Sequence, residues 1–259
     1  MTGKDPFVER LCEKLVPKSR GMAVRDVRVG LAYVYVELEG QKTGVSALVR
    51  SDLDGSCAVY PRAGSLVEQS AETLLMYLVQ GKSPVEKAVG LAAANALIGP
   101  PPSGYGTDAL DLMDLTPRDR VAMVGFFQPL AEKIEGRGIP LSILEKNARR
   151  GSAILDEKEQ DKALAECTIA IITATTLLNG TLGNVLDRLG KPRHAAILGP
   201  STPALPEMFQ GTVIDHLGGS VVSDREKIRT IISQGGGTRQ MRPYLKFFNL
   251  QIDGKGTLR

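Results

Sequence analysis

The chain has 259 residues, of which 42% are hydrophobic and 24% charged, a composition of globular proteins with room for one large domain or two ordinary ones. Its 32 Lys and Arg against 29 Asp and Glu leave a net charge of +3, with no long basic run or stripe, which argues against a nucleic-acid or anionic-membrane partner. The three cysteines, Cys12, Cys57 and Cys167, are odd in number and far apart, so neither a disulfide framework nor a thiolate zinc site is expected.

Residues 1–10 are charged and lack the apolar stretch of a signal peptide. No apolar run approaches the ~20 residues that span a bilayer, and the cytoplasm is the expected compartment. Phe7, Val8, Leu11, Leu15 and Val16 fall at helical spacing over residues 6–16. From Val24 the pattern turns to alternation, with Val27 and Val29, then Ala32, Val34 and Val36. A turn at Glu39-Gly40-Gln41 and a return strand over 43–49 complete a β-meander. Two helices follow. The first covers 66–79 and stops at Gly81. The second starts at Ser83-Pro84-Val85-Glu86, with Ser as N-cap, Pro at the first helical position and Glu three residues after Ser. The run from Gly90 to Leu97 is dense in small residues and predicts close packing, with Asn95 the one polar side chain in it.

Gly99-Pro100-Pro101-Pro102-Ser103-Gly104-Tyr105-Gly106 is the strongest loop signal. It divides the chain into an α+β domain, 1–105, and a second domain, 106–259. After Pro117 the pattern becomes β-α-β. Apolar strands at 120–125, 140–145, 168–172, 195–198 and 213–215 alternate with helices at 128–135, 157–167, 177–189, 205–209 and 224–233. Continuous apolar strands between helices predict a Rossmann-like α/β domain with a parallel sheet covered on both faces. The expected strand order is 2-1-3-4-5, with the ligand site at the carboxyl ends of the strands.

The segments after those strands carry the chemistry. The first strand ends at Gly125-Phe126-Phe127-Gln128-Pro129, and the second at Glu145. The third runs into Thr173-Ala174-Thr175-Thr176, then Asn179-Gly180-Thr181, and the fourth into Gly199-Pro200-Ser201-Thr202-Pro203. Hydroxyls and backbone N–H groups at helix starts suit anionic or phosphate-like groups, beyond what capping alone requires. Glu145 stands where dinucleotide-binding folds place a ribose-binding acid, or it could pair with Lys146 or Arg149. The second and third glycines of the dinucleotide fingerprint are missing, and Phe126 and Phe127 would obstruct a pyrophosphate, so NAD is not expected. Asp108, Asp111 and Asp114 read as a solvated helix start rather than a cation site. The only histidines are His194 and His216, and no nucleophile and base can be paired. The cofactor, and whether any reaction is catalysed, stay open.

At these loops the sequence resembles the family of putative heavy-metal chelation domains. The matching segments are Gly90 to Leu97, Val124 to Phe127, Ile172 to Leu182, Leu198 to Pro203, and the tail with Gly218-Gly219. One segment departs from the family pattern: Glu145 is followed by Lys146-Asn147 rather than by proline and glycine. The resemblance implies a domain like the N-terminal domain of enolases, then a Rossmann-like domain, with a cleft between them. It also implies a role in heavy-metal chelation or metal-chelate metabolism. The expected site is Gly125, Phe126, Glu145, Thr173, Thr175, Thr176, Asn179, Pro200, Ser201 and Thr202, with Asn95 facing the 173–181 loop from the first domain. The expected partner is a small-molecule ligand, which could be a metal chelate held without protein metal ligands. The alternative is a metal-independent enzyme acting on a phosphate- or ribose-bearing metabolite. A homo-oligomer is compatible with the sequence, and a pure assembly role is weaker because assembly needs no hydroxyl-lined loops.

Overall fold

The structure, a computed structural model, describes residues 5–53, 60–145 and 155–259. Helix α1 (Pro6–Ser19) starts at Asp5, whose carboxylate accepts from the N–H groups of Phe7 and Val8, and its buried stripe is Phe7, Leu11 and Leu15. Strands β1 (Val24–Val29), β2 (Tyr33–Leu38) and β3 (Lys42–Ala47) form an antiparallel meander in that spatial order. Helices α2 (Ala71–Gln80) and α3 (Pro84–Ile98) follow. The expected capping box is present: Glu86 N donates to Ser83 Oγ and Ser83 N to the Glu86 carboxylate. The first turns of the expected 66–79 helix are instead a short 3-10 turn at Leu66–Glu68, and Ser70 caps α2.

The meander is buried on both faces, which follows from the two-residue period of a strand. Val34, Val36 and Leu38 of β2 pack with α1, α2 and α3. Tyr33 and Tyr35, facing the other way with Val45 of β3, pack against Ile228 and Ile232 of helix α8 (Arg225–Ser233). That second layer belongs to the C-terminal half. Each of the two fully buried isoleucines contributes about 1.5–3 kcal/mol of apolar burial.

The second half begins with α4 (Ala109–Met113). It continues through β4 (Val121–Val124), α5 (Gln128–Gly136), β5 (Leu141–Leu144), α6 (Glu157–Glu166), β6 (Ile169–Thr173), α7 (Leu182–Arg188), β7 (His194–Leu198) and β8 (His216–Val222). After α8 come α9 (Thr238–Met241) and β9 (Leu245–Gln251). The sheet order is β5-β4-β6-β7-β8-β9, parallel from β5 to β8 with β9 antiparallel at the edge. Among the parallel strands this is the expected order 2-1-3-4-5. Alternate residues of β6 serve the two faces: Ala170 and Ile172 pack with α6 and α7, Ile169 and Ile171 with α4 and α5.

Two strands differ from expectation. The fifth strand is not 213–215 but His216–Val222, and it contains Gly218-Gly219. A Cβ at Gly219 would lie 2.3 Å from Phe248 Cζ and 2.9 Å from Thr202 O, so glycine there marks close approach rather than a turn. Strand β9 had no sequence expectation. Its outer edge is covered by the proline-rich linker, where Tyr105 bridges to Phe248 and Asn249 N donates to Gly104 O at 2.7 Å. No helix among the described residues is long and apolar enough to cross a membrane.

Candidate functional site

The chain leaves β4 toward β5 on one side and β6 toward β7 on the other, so the rim between β4 and β6 is the switch point of the sheet. A cavity of about 420 Å³ lies at this rim, within the usual range of small-molecule sites. Its first wall is Phe126 and Phe127, between β4 and α5. Gly125 turns the chain there with φ +85°, and a Cβ on it would press to 2.8 Å from Thr173 Cγ2.

The second wall is the loop after β6. Thr173 caps a short 3-10 turn by accepting from Thr175 N at 3.3 Å, and the two hydroxyls lie 3.1 Å apart. Both line the cavity. The third wall is Gly199, Pro200 and Ser201, after β7. Ser201 is buried, and its Oγ accepts from Ala47 N of the meander at 2.7 Å, which leaves the hydroxyl proton to be donated elsewhere. Ala47 and Tyr33 bring the first half of the chain to the cavity. The Tyr33 phenol shares a 2.7 Å hydrogen bond with Thr238 Oγ1, and burial raises its pKa.

Strands β8 and β9 add Gly218, Gly219, Phe247, Phe248 and Asn249. Asn249 Nδ2 donates to Thr107 O at 2.7 Å. Its Oδ1 therefore faces His216 Nε2 at 2.9 Å, and that nitrogen carries the proton. Burial holds the His216 pKa down, so the ring is neutral near pH 7. Three charged residues reach the cavity: Asp108, Lys133 and Arg242. Lys133 Nζ pairs with Asp108 at 2.7 Å, and this hydrogen bond holds the Asp108 carboxyl below its usual range. Asp108 also caps α4 through Leu110 N. The Arg242 guanidinium lies 5.2 Å from the centre of the Phe247 ring.

Of the residues singled out from sequence, Phe126, Thr173, Thr175, Pro200 and Ser201 lie together on the cavity walls. Gly125 stands directly behind them. Thr176 is buried and donates to Thr173 O at 2.8 Å, shaping the loop from within. Thr202 and Asn95 line a separate space of about 10 Å³ beneath the third wall. Asn179 turns into its own loop, accepting from Thr181 N and Oγ1, and lines a different groove with Lys82 and Lys87. Glu145 follows β5 and is not among the cavity-lining residues. Its suggested partners Lys146 and Arg149 lie outside the described residues, as does Cys57. One expectation needs correcting. Asn95 does not hydrogen-bond the 173–181 loop: its amide donates to Val45 O at 3.0 Å and Ser201 O at 3.1 Å, because Asn95 stands near the end of α3, beside the third wall, whereas it is the start of α3, with Pro84 and Lys87, that lies beside Leu178 and Asn179. Sequence reasoning missed Tyr33, Thr238, Arg242, Phe247, Phe248 and Asn249. An adjacent Phe247-Phe248 pair, matching Phe126-Phe127, was the signal available.

Two further charged networks sit at the opposite rim. Asp119 is buried and accepts from Arg193 Nε and Nη2 at 2.9 and 2.7 Å and from Thr168 at 2.7 Å. Arg193 above all holds its carboxyl far below the usual range. His194 Nδ1 lies 2.7 Å from Asp215 Oδ2. Among the described residues no three His, Cys, Asp or Glu side chains gather where they could hold one metal ion.

Comparisons with known proteins agree with this architecture. A family model described as putative heavy-metal chelation matches residues 108–251, and a second model with the same description matches residues 12–98. An uncharacterized protein from Methanocaldococcus jannaschii is 23% identical over 255 residues, covering 95% of this chain and 96% of that protein. A crystal structure of a DUF364 family protein of unknown function from Pyrococcus horikoshii superposes with a TM-score of 0.81 at 22% identity, covering 95% of this chain and 100% of that one. Another of the same family, from Desulfitobacterium hafniense, gives 0.79 at 19% identity, with 97% and 100% covered. These likenesses establish the shared fold. With more than half of the chain matched by its model, the protein belongs to the DUF364 family, whose description is putative heavy-metal chelation.

Proposed function

We propose that this chain binds a small, oxygen-rich organic molecule in the cavity at the switch point, and that any heavy metal it handles arrives as that molecule's chelate. The carrying observation is the chemistry of the walls: Thr173, Thr175 and Ser201 present hydroxyls at the strand ends, and among the described residues no ligand set for a bare ion accompanies them. Soft and borderline ions want thiolates and imidazoles in clusters. Burial pushes the Cys12 thiol up to about 12 and the Cys167 thiol up to about 11, which disfavours the thiolate that binds metal. Both imidazoles are already engaged, with Asp215 and with Asn249. Hydroxyls and backbone amides at a sheet rim instead suit carboxylate, phosphate or hydroxyl groups of an organic ligand.

The test combines mass spectrometry of small molecules that co-purify with the protein and calorimetric titration of the ligand-free chain with nickel, cobalt and zinc. The expected result is an organic molecule released on denaturation and no tight one-to-one uptake of a bare ion. Tight uptake abolished by changing a Cys or His, yet untouched by Thr175→Val, would refute the proposal. A second reading, an enzyme working on a phosphate- or ribose-bearing metabolite without metal, is favoured by Arg242 on the cavity wall. Turnover of the recovered molecule in metal-free buffer separates the two.

A further inference from the structure

The charge and shape of the cavity say more about its ligand than the hydroxyl loops do. Three charged side chains reach it, and two of them, Lys133 and Asp108, neutralise each other at 2.7 Å. The third, Arg242, makes no ion pair with any carboxylate among the described residues. Its guanidinium carbon sits over the Phe247 ring, 5.2 Å from the centre, a contact that orients the group and leaves its N–H donors for a partner. The cavity therefore carries one uncompensated positive charge at an oriented fork. Four of the chain's six phenylalanines, Phe126, Phe127, Phe247 and Phe248, line the same space. Phe126 and Phe127 follow β4 and Phe247 lies on β9, all three partly exposed, whereas Phe248 is buried with its ring against Gly219. Partly exposed aromatic rings from two elements favour a flat ring among them, with offset or edge-to-face contact contributing beyond area alone.

We infer that the ligand is a planar aromatic anion: a flat ring system lying among the phenylalanines, with a carboxylate or phosphate at its edge bound by Arg242. This rests on the reading of the cavity as a ligand site and narrows it to one chemical class. The anion is paired in two planar N–H···O bonds, which a guanidinium provides and an ammonium does not. The ring supplies most of the buried area, and the hydroxyls of Thr173, Thr175 and Ser201 meet its polar substituents.

The experiment titrates the full chain with four probes by calorimetry and ligand fluorescence. 2-Naphthoate is planar and anionic. Its fully saturated analogue, decahydro-2-naphthoate, keeps the charge and loses planarity. 2-Naphthamide keeps the plane and loses the charge, and 2-naphthyl phosphate distinguishes a phosphate end from a carboxylate end. One planar anion is expected to bind one-to-one, with the saturated and the neutral analogues each weaker by about tenfold or more. Arg242→Ala should lower affinity for the planar anion by a similar factor, and Arg242→Lys should restore only part of it. Arg242 is exposed, so both variants are expected to fold, and an unchanged melting temperature checks this. Equal binding of the planar and saturated acids, wild-type affinity in Arg242→Ala, or no binding of either planar anion would overturn the inference. Its failure is separable from failure of the proposed function. A co-purifying non-planar ligand that depends on Thr175 but not on Arg242 would sink this inference alone. A planar anion that binds through Arg242 but ignores Thr175→Val would sink only the hydroxyl-loop reading.

Discussion

Replacing Asn95 tests how the two halves of the chain are joined beneath the cavity. Its amide nitrogen donates to Val45 O on β3 and to Ser201 O in the loop after β7. Both neighbours are acceptors only, so the orientation of the amide is fixed by its surroundings. Asn95→Ala takes this donor away from two carbonyls, at about 1–2 kcal/mol each, which gives a loss of roughly 2–4 kcal/mol. For a chain of this size that is a drop of roughly 4–16 °C in melting temperature. Asn95→Asp keeps the shape but points carboxylate oxygens at two carbonyl oxygens, so it should cost more than alanine at pH 7. Its folded-state pKa would be raised, so the deficit should shrink as pH falls through that pKa and the protonated acid regains one donor. The assay is urea unfolding of wild type and both variants from pH 7 to pH 4, followed by far-UV circular dichroism. An Asn95→Asp variant as stable as wild type at pH 7, or an alanine variant within about 0.5 kcal/mol of it, would refute the argument.

Other expectations follow from single contacts. Thr202 Oγ1 and Ser220 Oγ are buried with no hydrogen-bond partner among the described residues. Thr202→Val should therefore be neutral or stabilising by up to about 1 kcal/mol, and a clear loss in thermal denaturation would mean that the hydroxyl has a partner in solution. Gly219→Ala drives a Cβ into the Phe248 ring and should destabilise by about 1–3 kcal/mol, read as a lower urea midpoint together with weaker binding of any cavity ligand. Acid should act in two stages. Burial lowers the His216 pKa, so the unfolded chain takes up that proton first and stability falls once pH drops below about 6.5. His216→Gln should flatten this limb. Arg193 lowers the Asp119 pKa, so that contribution is present above the unfolded value of about 3.9 and is lost as pH falls below it, a step that Asp119→Asn should remove.

Local chemistry and the order of the parallel strands were legible in the sequence, and the antiparallel pairing of the terminal strand was not. The start of helix α3 was readable to the residue because Ser83, Pro84 and Glu86 spell it within four positions. The parallel strands β4 to β7 were readable because burial on both faces demands continuous apolar runs. Strand β8 was displaced because Gly218-Gly219 carries the local signature of a loop, while the reason for glycine, the Phe248 ring, lies 29 residues away. A helix over 177–189 was expected, but Gly180 at φ +67° breaks it, and α7 starts only at Leu182. The cavity was half legible for the same reason. Its hydroxyl walls follow strands that could be read, whereas Arg242, Phe247 and Asn249 come from a terminal segment whose pairing with β8 and the linker no local pattern announces. Asn95 was recognisable as an amide among apolar residues and in need of partners, but which loop supplied one depended on where α3 crosses the sheet.

The meander covered on its second face by α8 has a consequence for how the chain is made. Tyr33, Tyr35 and Val45 leave the ribosome about 190 residues before Ile228 and Ile232 arrive to cover them, a delay of roughly 10–40 s at ordinary elongation rates. Throughout that interval the nascent first half displays an apolar sheet face that nothing already synthesised can shield. A messenger truncated anywhere in the linker would release a fragment with that face permanently bare, prone to self-association and a ready substrate for holdase chaperones. Separate expression of the two matched segments should thus yield insoluble first halves unless the second is supplied in the same cell, which makes co-expression rescue a direct measure of how far this protein is a single folding unit.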